Sequence, residues 1–390
     1  HLIGYSPEAR LVMYLAAATT ILLAFVRVMT SVLNGLENMT WPALAEVVSK
    51  LLVVGLGIAL LVQGMGVVAY SAVLLVAAGV NLGINAVYIG RRFPLTISFH
   101  LPQVKALLRG GAPFLLMGFL LDIYNQLDVV MLRFFTTDAV VGWYAAASQL
   151  YHAADMLPIA LTSAMLPTMA RMHFRSALAL ASVARKSIVI GAVMIVPIGL
   201  GMSLLSKEII ATLPYPDVFS NSIPLLTILA LSVPITAFLM ILGTIAAAVD
   251  RQRAWALALT ATVLIDVALN AAAIPYFQRV QGNGGIGAAV TTLVCETFMV
   301  LVGVRLMPRG VIDRRMAMAF LKVAIAGGAM VLAGLLARVL GLGTGPVVAV
   351  AAITYALLVL ATRAVTVSDL LFVRDSVFQR WKTGRPAMAE

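Results

Sequence analysis

The feature that most constrains this chain is a succession of apolar runs, each about as long as a bilayer is thick. Eleven can be marked: Leu11–Leu33, Ala43–Val62, Val67–Ile89, Pro113–Leu132, Ala139–Leu166, Ile188–Leu205, Ile223–Val249, Trp255–Ile274, Ile286–Leu306, Phe320–Ala337 and Pro346–Ala361. A helix needs about 20 mostly apolar residues to cross the hydrocarbon core. Lipid offers no hydrogen bonds, so each run must satisfy its own backbone, which a helix does. Composition agrees: 62% of the residues are hydrophobic, 11% are charged and the mean hydropathy is +1.03. Soluble domains average about 45–50% apolar and about 25% charged residues. The expected fold class is an all-α polytopic membrane protein with eleven transmembrane helices.

The net charge of +11 is not gathered into a patch for nucleic acid. Most Lys and Arg residues fall in alternate connections: Arg91, Arg92, Lys105 and Arg109; Arg171, Arg175, Arg185 and Lys186; Arg251 and Arg253; Arg305, Arg309, Arg314 and Arg315; and the tail. The opposite connections hold Arg133, Lys207, Arg279 and Arg338, with Arg10 before the first run. By the positive-inside rule the basic set is cytoplasmic. Single cysteines in the Arg92–Lys105, Arg171–Arg185 and Lys207–Asn221 connections, on a Cys295→Ala background, should therefore respond differently to an impermeant thiol reagent. In intact spheroplasts only the third should react, and the reverse pattern would invert the topology.

An internal repeat sets the organisation. Ser31–Leu44 (SVLNGLENMTWPAL) lies over Thr244–Leu257 (TIAAAVDRQRAWAL) at a constant shift, with Trp41 and Trp255 offset by one position. Downstream, Gly66-Val-Val-Ala-Tyr-Ser lies over Gly285-Ile-Gly-Ala-Ala-Val after a small insertion. Helices one to three thus map onto seven to nine. The shift is an even number of helices, so the copies are parallel repeats about an axis along the membrane normal. Helices four to six then lack counterparts, which predicts three further helices ahead of His1 and a whole of fourteen: two six-helix lobes and a final pair. In that scheme residues 1–100 form a partial N-terminal lobe, 101–310 the C-terminal lobe, and 311–390 the final pair with a tail. In the tail, Leu370, Val373, Val377 and Trp381 recur at helical spacing among Arg374, Arg380 and Lys382, as in a helix lying on the cytoplasmic membrane surface.

Within that arrangement several stretches match a known pattern. They are Leu108-Arg-Gly-Gly-Ala-Pro113, Tyr124 and Asp128 followed by Val-Val-Met-Leu, Val141-Gly-Trp-Tyr144-Ala-Ala-Ala, Pro158 and Pro167, and Gly284-Gly-Ile-Gly-Ala-Ala289. In order and spacing, from Leu11 to Leu306, the chain resembles the polysaccharide (Wzx-like) flippases of the multidrug/oligosaccharidyl-lipid/polysaccharide transporter superfamily. The resemblance implies two lobes around a cavity that opens alternately to each membrane face. It implies an undecaprenyl-pyrophosphate-linked oligosaccharide as cargo, a bacterial inner (cytoplasmic) membrane as location, and a polysaccharide polymerase complex as a candidate partner. No cofactor is implied.

Ionisable residues at mid-membrane cost about 2.5–3.5 kcal/mol each on insertion scales and mark function by default. Three polar stripes at helical spacing contain them: Thr20, Arg27, Ser31 and Asn34; Ser148, His152, Asp155 and Thr162; and Thr262, Asp266 and Asn270. Residues three or four apart share a helix face. Arg27, Asn34, Asp122, Asn125 and Asp128 are read as substrate-cavity candidates, Asp128 through the family match. His152, Asp155, Asp266 and Glu296 are read as a site for a coupling cation, a proton or a sodium ion. The bland alternative is polar packing between helices, worth about 0.6 kcal/mol per contact. It is preferred for Asn81, Asn85 and Tyr88, while Lys50 and Glu46 read as a helix ion pair.

One tension remains within the sequence. A pyrophosphate cargo calls for a cationic cavity, yet the mid-membrane set is mostly acidic and Arg27 is its one clear cation. A cation-coupled multidrug exporter of the same superfamily is therefore the nearest rival reading. A membrane enzyme of glycan assembly is the more distant one. His1, His100, His152 and His173 are scattered, and no connection is long enough to form a catalytic domain, so no acid–base constellation assembles.

Overall fold

The protein is described here by a computed structural model covering residues 6–35, 38, 40–92, 100–308 and 310–363. The tail positions Leu370, Val373, Val377 and Trp381 lie outside these residues. Among the described residues the chain is helical throughout, and its contacts fall into two compact units, residues 1–107 and 108–390.

The first unit contains α1 (Pro7–Gly35), α2 (Thr40–Val62) and α3 (Val67–Arg92). α3 packs against both α1 and α2, which barely touch each other. Its buried face carries Asn81 and Asn85. Asn81 donates to Glu46 Oε2 at 2.9 Å, and Asn85 donates to Asn81 Oδ1 at 2.9 Å. Glu46 also pairs with Lys50 at 3.6 Å, one turn on. Tyr88 accepts from Asn38 and stacks on Trp41, with ring centroids 4.8 Å apart. These residues hold helices together, as the bland reading expects.

The second unit runs from α4 (Leu101–Phe135), whose first turns fall in the first unit, through α5 (Asp138–Ala154), α6 (Met156–Arg175), α7 (Ala177–Leu204) and the short α8 (Ser206–Thr212). It continues with α9 (Ser222–Ala248), α10 (Gln252–Gln281), α11 (Gly285–Leu306), α12 (Arg314–Val339) and α13 (Thr344–Ala361). α9 has no charged residue along its length and touches α5, α6, α7, α8, α10 and α11. A helix apolar on every side belongs inside a bundle, and α9 is the central post of this one. Pro234 on α9 fits into a notch at Gly199 on α7, where a Cβ would stand 2.6 Å from the proline Cδ. α12 is held at both ends by ion pairs, Arg185–Asp313 at its start and Arg338–Glu208, 2.6 Å long, at its finish. Asp313 also caps α12 by accepting from the Met316 N–H.

Nine helices among the described residues are long and apolar enough to cross a membrane. The two remaining sequence runs, Pro113–Leu132 and Ala139–Leu166, lie in α4 and in the α5–α6 pair. The latter is a correction to the sequence reading, because the single run is two helices. Pro158 has no N–H to donate to the Ala154 carbonyl, and the helix breaks one residue later, at Asp155. Asp155 closes α5 through a tight turn to the His152 carbonyl and opens α6 through a bond from the Ile159 N–H. The Arg171–Arg185 connection is also shorter than expected: only Ser176, in extended conformation, separates α6 from α7.

The repeat is visible in the backbone. In the second unit α11 packs against both α9 and α10, which barely touch each other, as α3 does with α1 and α2. The turn between the first two helices carries the same cap in both copies. The Asn38 N–H reaches the Leu33 carbonyl at 2.9 Å, and the Arg251 N–H reaches the Ala246 carbonyl at 2.9 Å. Both are six-to-one bonds that close a helix C-terminus, and they are related by the shift that aligns the two sequence stretches.

Candidate functional site

The polar interior of the second unit is built by α4, α5, α9, α10 and α11. Its first part is a cradle around Asp128. Tyr144 on α5 donates to Asp128 Oδ2 at 2.6 Å, and Asn270 on α10 donates to Oδ1 at 2.8 Å. The Thr292 hydroxyl on α11 lies 2.8 Å from Oδ2 and 3.0 Å from the Ala288 carbonyl, with one proton to give. Three donors on three helices suit a carboxylate, since hydrogen bonds to a charged group are the strong ones. Asp266, one turn before Asn270, faces the Cys295 thiol and Asn270.

The glycine-rich stretch 284–289 makes this cradle possible. A Cβ at Gly287 would stand 2.6 Å from the carbonyl carbon and oxygen of Ala273. The start of α11 therefore lies directly against the backbone of α10, and this brings Thr292 level with Asn270. The Val141–Ala147 stretch acts from the other side. Trp143 offers its carbonyl to Ser222 at 2.9 Å, tying α5 to the first turn of α9, and Tyr144 reaches Asp128.

The second part surrounds Glu296, one turn beyond Thr292 on α11. Its Oε1 lies 2.6 Å from the Thr236 hydroxyl and 2.9 Å from that of Tyr151, and the two hydroxyls are 2.7 Å apart. Next along the chain, His152 Nδ1 meets Asp155 Oδ2 at 3.1 Å at the α5–α6 break. His152 is exposed whereas Asp155 is buried.

Asp155, Asp266 and Glu296 are thus placed inside one unit, with His152 at its edge. None of the described ion pairs reaches Asp128, Asp266 or Glu296. Asp128, read in the sequence as a cavity candidate, is the half-buried acceptor at the centre of the cradle. Asp122 and Asn125 are exposed on another face of α4. Arg27 and Asn34 are exposed on α1 in the first unit, with Thr20 and Ser31 on the same stripe. Sequence reasoning missed Thr236, Tyr151 and Thr292 and gave Tyr144 no role. Thr292 stands four residues before Glu296, a spacing that could have raised it.

Membrane-length helices around an acidic, hydroxyl-lined interior define a multi-pass membrane protein. Comparisons with known proteins narrow this. Residues 4–173 match the family model described as a polysaccharide biosynthesis protein. The fold is similar to that of the lipid II flippase MurJ in an inward closed conformation, with a TM-score of 0.73 at 15% identity, over 94% of this chain and 74% of that one. It is also similar to a point mutant of the MATE transporter VcmN of Vibrio cholerae, with a TM-score of 0.51 at 18% identity, over 74% of this chain and 67% of that one. No curated protein matches the sequence. The chain has a MurJ-like fold, and its residues 4–173 match the polysaccharide biosynthesis family model.

Proposed function

We propose that this protein moves an undecaprenyl-pyrophosphate-linked oligosaccharide across the bacterial cytoplasmic membrane by alternating access, with a proton bound at the His152–Asp155 pair as the coupling ion. The observation that carries the reading is the conjunction of the polysaccharide biosynthesis match at residues 4–173 with a MurJ-like fold over 94% of the chain. The buried acidic interior supports ion coupling, because a carboxylate at that depth needs a cation, a proton or water. Proton binding drives transport only if it favours one cavity orientation, since a ligand shifts an equilibrium by its differential affinity alone. The exporter reading draws on the same acidic interior and on the weaker likeness to VcmN.

Loss of the intact protein should strand completed lipid-linked oligosaccharide on the cytoplasmic leaflet. Periplasmic glycan should disappear while glycosyltransferase activity in extracts persists. Normal surface glycan in a strain without a redundant flippase would overturn the proposal.

A further inference from the structure

Among the described residues of the second unit, six side-chain polar atoms are buried and have no hydrogen-bond partner: Tyr124 Oη, Asp155 Oδ1, Ser232 Oγ, Asp266 Oδ2, Asn270 Oδ1 and Glu296 Oε2, of which the first and the last three lie on α4, α10 and α11. The residues Asp266, Asn270 and Glu296 are 1%, 0% and 2% exposed. Orphaned buried polar atoms are rare and call for an explanation, and four on three neighbouring helices call for a common one. Tyr124 joins them, one turn before Asp128 on α4 and packed against the apolar cluster that holds Met299 of α11. We propose that Glu296 is a proton-binding site in its own right, separate from the Asp128 cradle, with Tyr124 as the hydroxyl that bonds to the loaded acid.

The two oxygens of Glu296 divide the work. Oε1 is fixed by Thr236 on α9 and Tyr151 on α5, so the carboxyl cannot turn freely. Oε2 is the oxygen left to take the proton. Loading forms one O–H bond at Oε2 and turns an incoming hydronium ion into water; no other bond changes. The new O–H needs an acceptor, and the Tyr124 hydroxyl, which has no hydrogen-bond partner in this structure, becomes one on loading. The groups facing Glu296 are Tyr124 and Asp128 from α4, and Tyr151 and Asp155 from α5 and the turn after it. Asp266 on α10 and Cys295 on α11 share the same neighbourhood. α9 contributes the neutral Thr236. No lysine or arginine is among these described groups, and bound protons or another cation would balance the carboxylates' charge.

α4 carries Tyr124 and Asp128 on one face, and the exposed Asp122 and Asn125 on another. A bond made or lost at Tyr124 therefore bears on the helix that presents the candidate cargo-facing residues.

The inference rests on the coupled-transporter reading, so its test uses a signal that needs no cargo. In the purified full-length protein, the infrared carbonyl stretch of protonated carboxyl groups is followed while pH is stepped. Glu296→Gln should remove one pH-dependent band, Asp266→Asn should leave that band in place, and Tyr124→Phe should shift it by removing its hydrogen-bond partner. An unchanged set of bands in Glu296→Gln, or a Glu296 band indifferent to Tyr124→Phe, would overturn the proposal. Should the Glu296 band behave as expected in a protein that flips no oligosaccharide, the site stands and the cargo assignment fails.

Discussion

Asp155→Asn is expected to abolish proton-gradient-driven transport while leaving the protein folded and inserted. The substitution keeps the side-chain volume and its position at the α5–α6 break, where Pro158 leaves the helix one hydrogen bond short. What it removes is the capacity to release and rebind a proton. Asp155 is buried while its partner His152 is exposed, so the pair joins an accessible group to an interior one. At 3.1 Å the imidazole is close enough to exchange a proton with the carboxylate directly. Reconstituted full-length protein should transport with an imposed pH gradient, and Asp155→Asn should fall to the level of empty liposomes. Full gradient-driven transport in the variant would reduce this residue to a packing group.

The second large effect concerns stability. Gly287→Leu should prevent assembly of the second unit, and Gly287→Ala should lower its stability by about 1–3 kcal/mol, the usual cost of overpacking. The added Cβ would meet the Ala273 backbone at 2.6 Å, and a backbone cannot swing away as a flexible side chain can. Separating α10 from α11 would also pull Thr292 and Asn270 apart around Asp128. Gly142 is the control. It lies in another stretch shared with the flippase pattern, yet a Cβ there meets nothing within 4 Å. Replacing it by alanine should be neutral, or stabilising by about 0.5–1 kcal/mol through reduced backbone entropy. Thermal unfolding of the detergent-purified variants, followed by size-exclusion chromatography, separates the two. Equal tolerance of both alanines would contradict the close approach.

Much of this architecture was legible in the sequence because the bilayer imposes a simple rule. A run of about 20 apolar residues has one stable solution, and the runs recur as helices. The stripe Thr262, Asp266 and Asn270 was legible for a similar reason, since spacing by four fixes a common face whatever the surroundings. The split of Ala139–Leu166 was not, because hydropathy records burial and not which carbonyl lacks a donor. Pro158 was visible, but where the helix yields depends on how both halves pack, with α5 and α6 each against α9. The partners of Asp128 escaped for another reason. Tyr144, Asn270 and Thr292 come from three helices separated by long stretches of chain, and nothing in one helix's periodicity states which neighbour it will face. Trp41 and Trp255 showed the repeat, yet only the backbone caps at Leu33 and Ala246 showed that the two copies turn their chains alike.

That shared turn has an evolutionary consequence. Two triads with one packing pattern and one helix cap, in register at the turn and again after a small insertion, have the arrangement that duplication of a gene segment leaves. They have since diverged. The first copy links an exposed carboxylate, Glu46, to the buried amides Asn81 and Asn85, while the positions it shares with Asp266 and Asn270 of the second are Val53 and Gly57. Glu46 in turn corresponds to Leu259, sealed in an apolar core. The two buried carboxylates Asp266 and Glu296 thus have apolar residues, Val53 and Ala77, at the matching positions of the first copy.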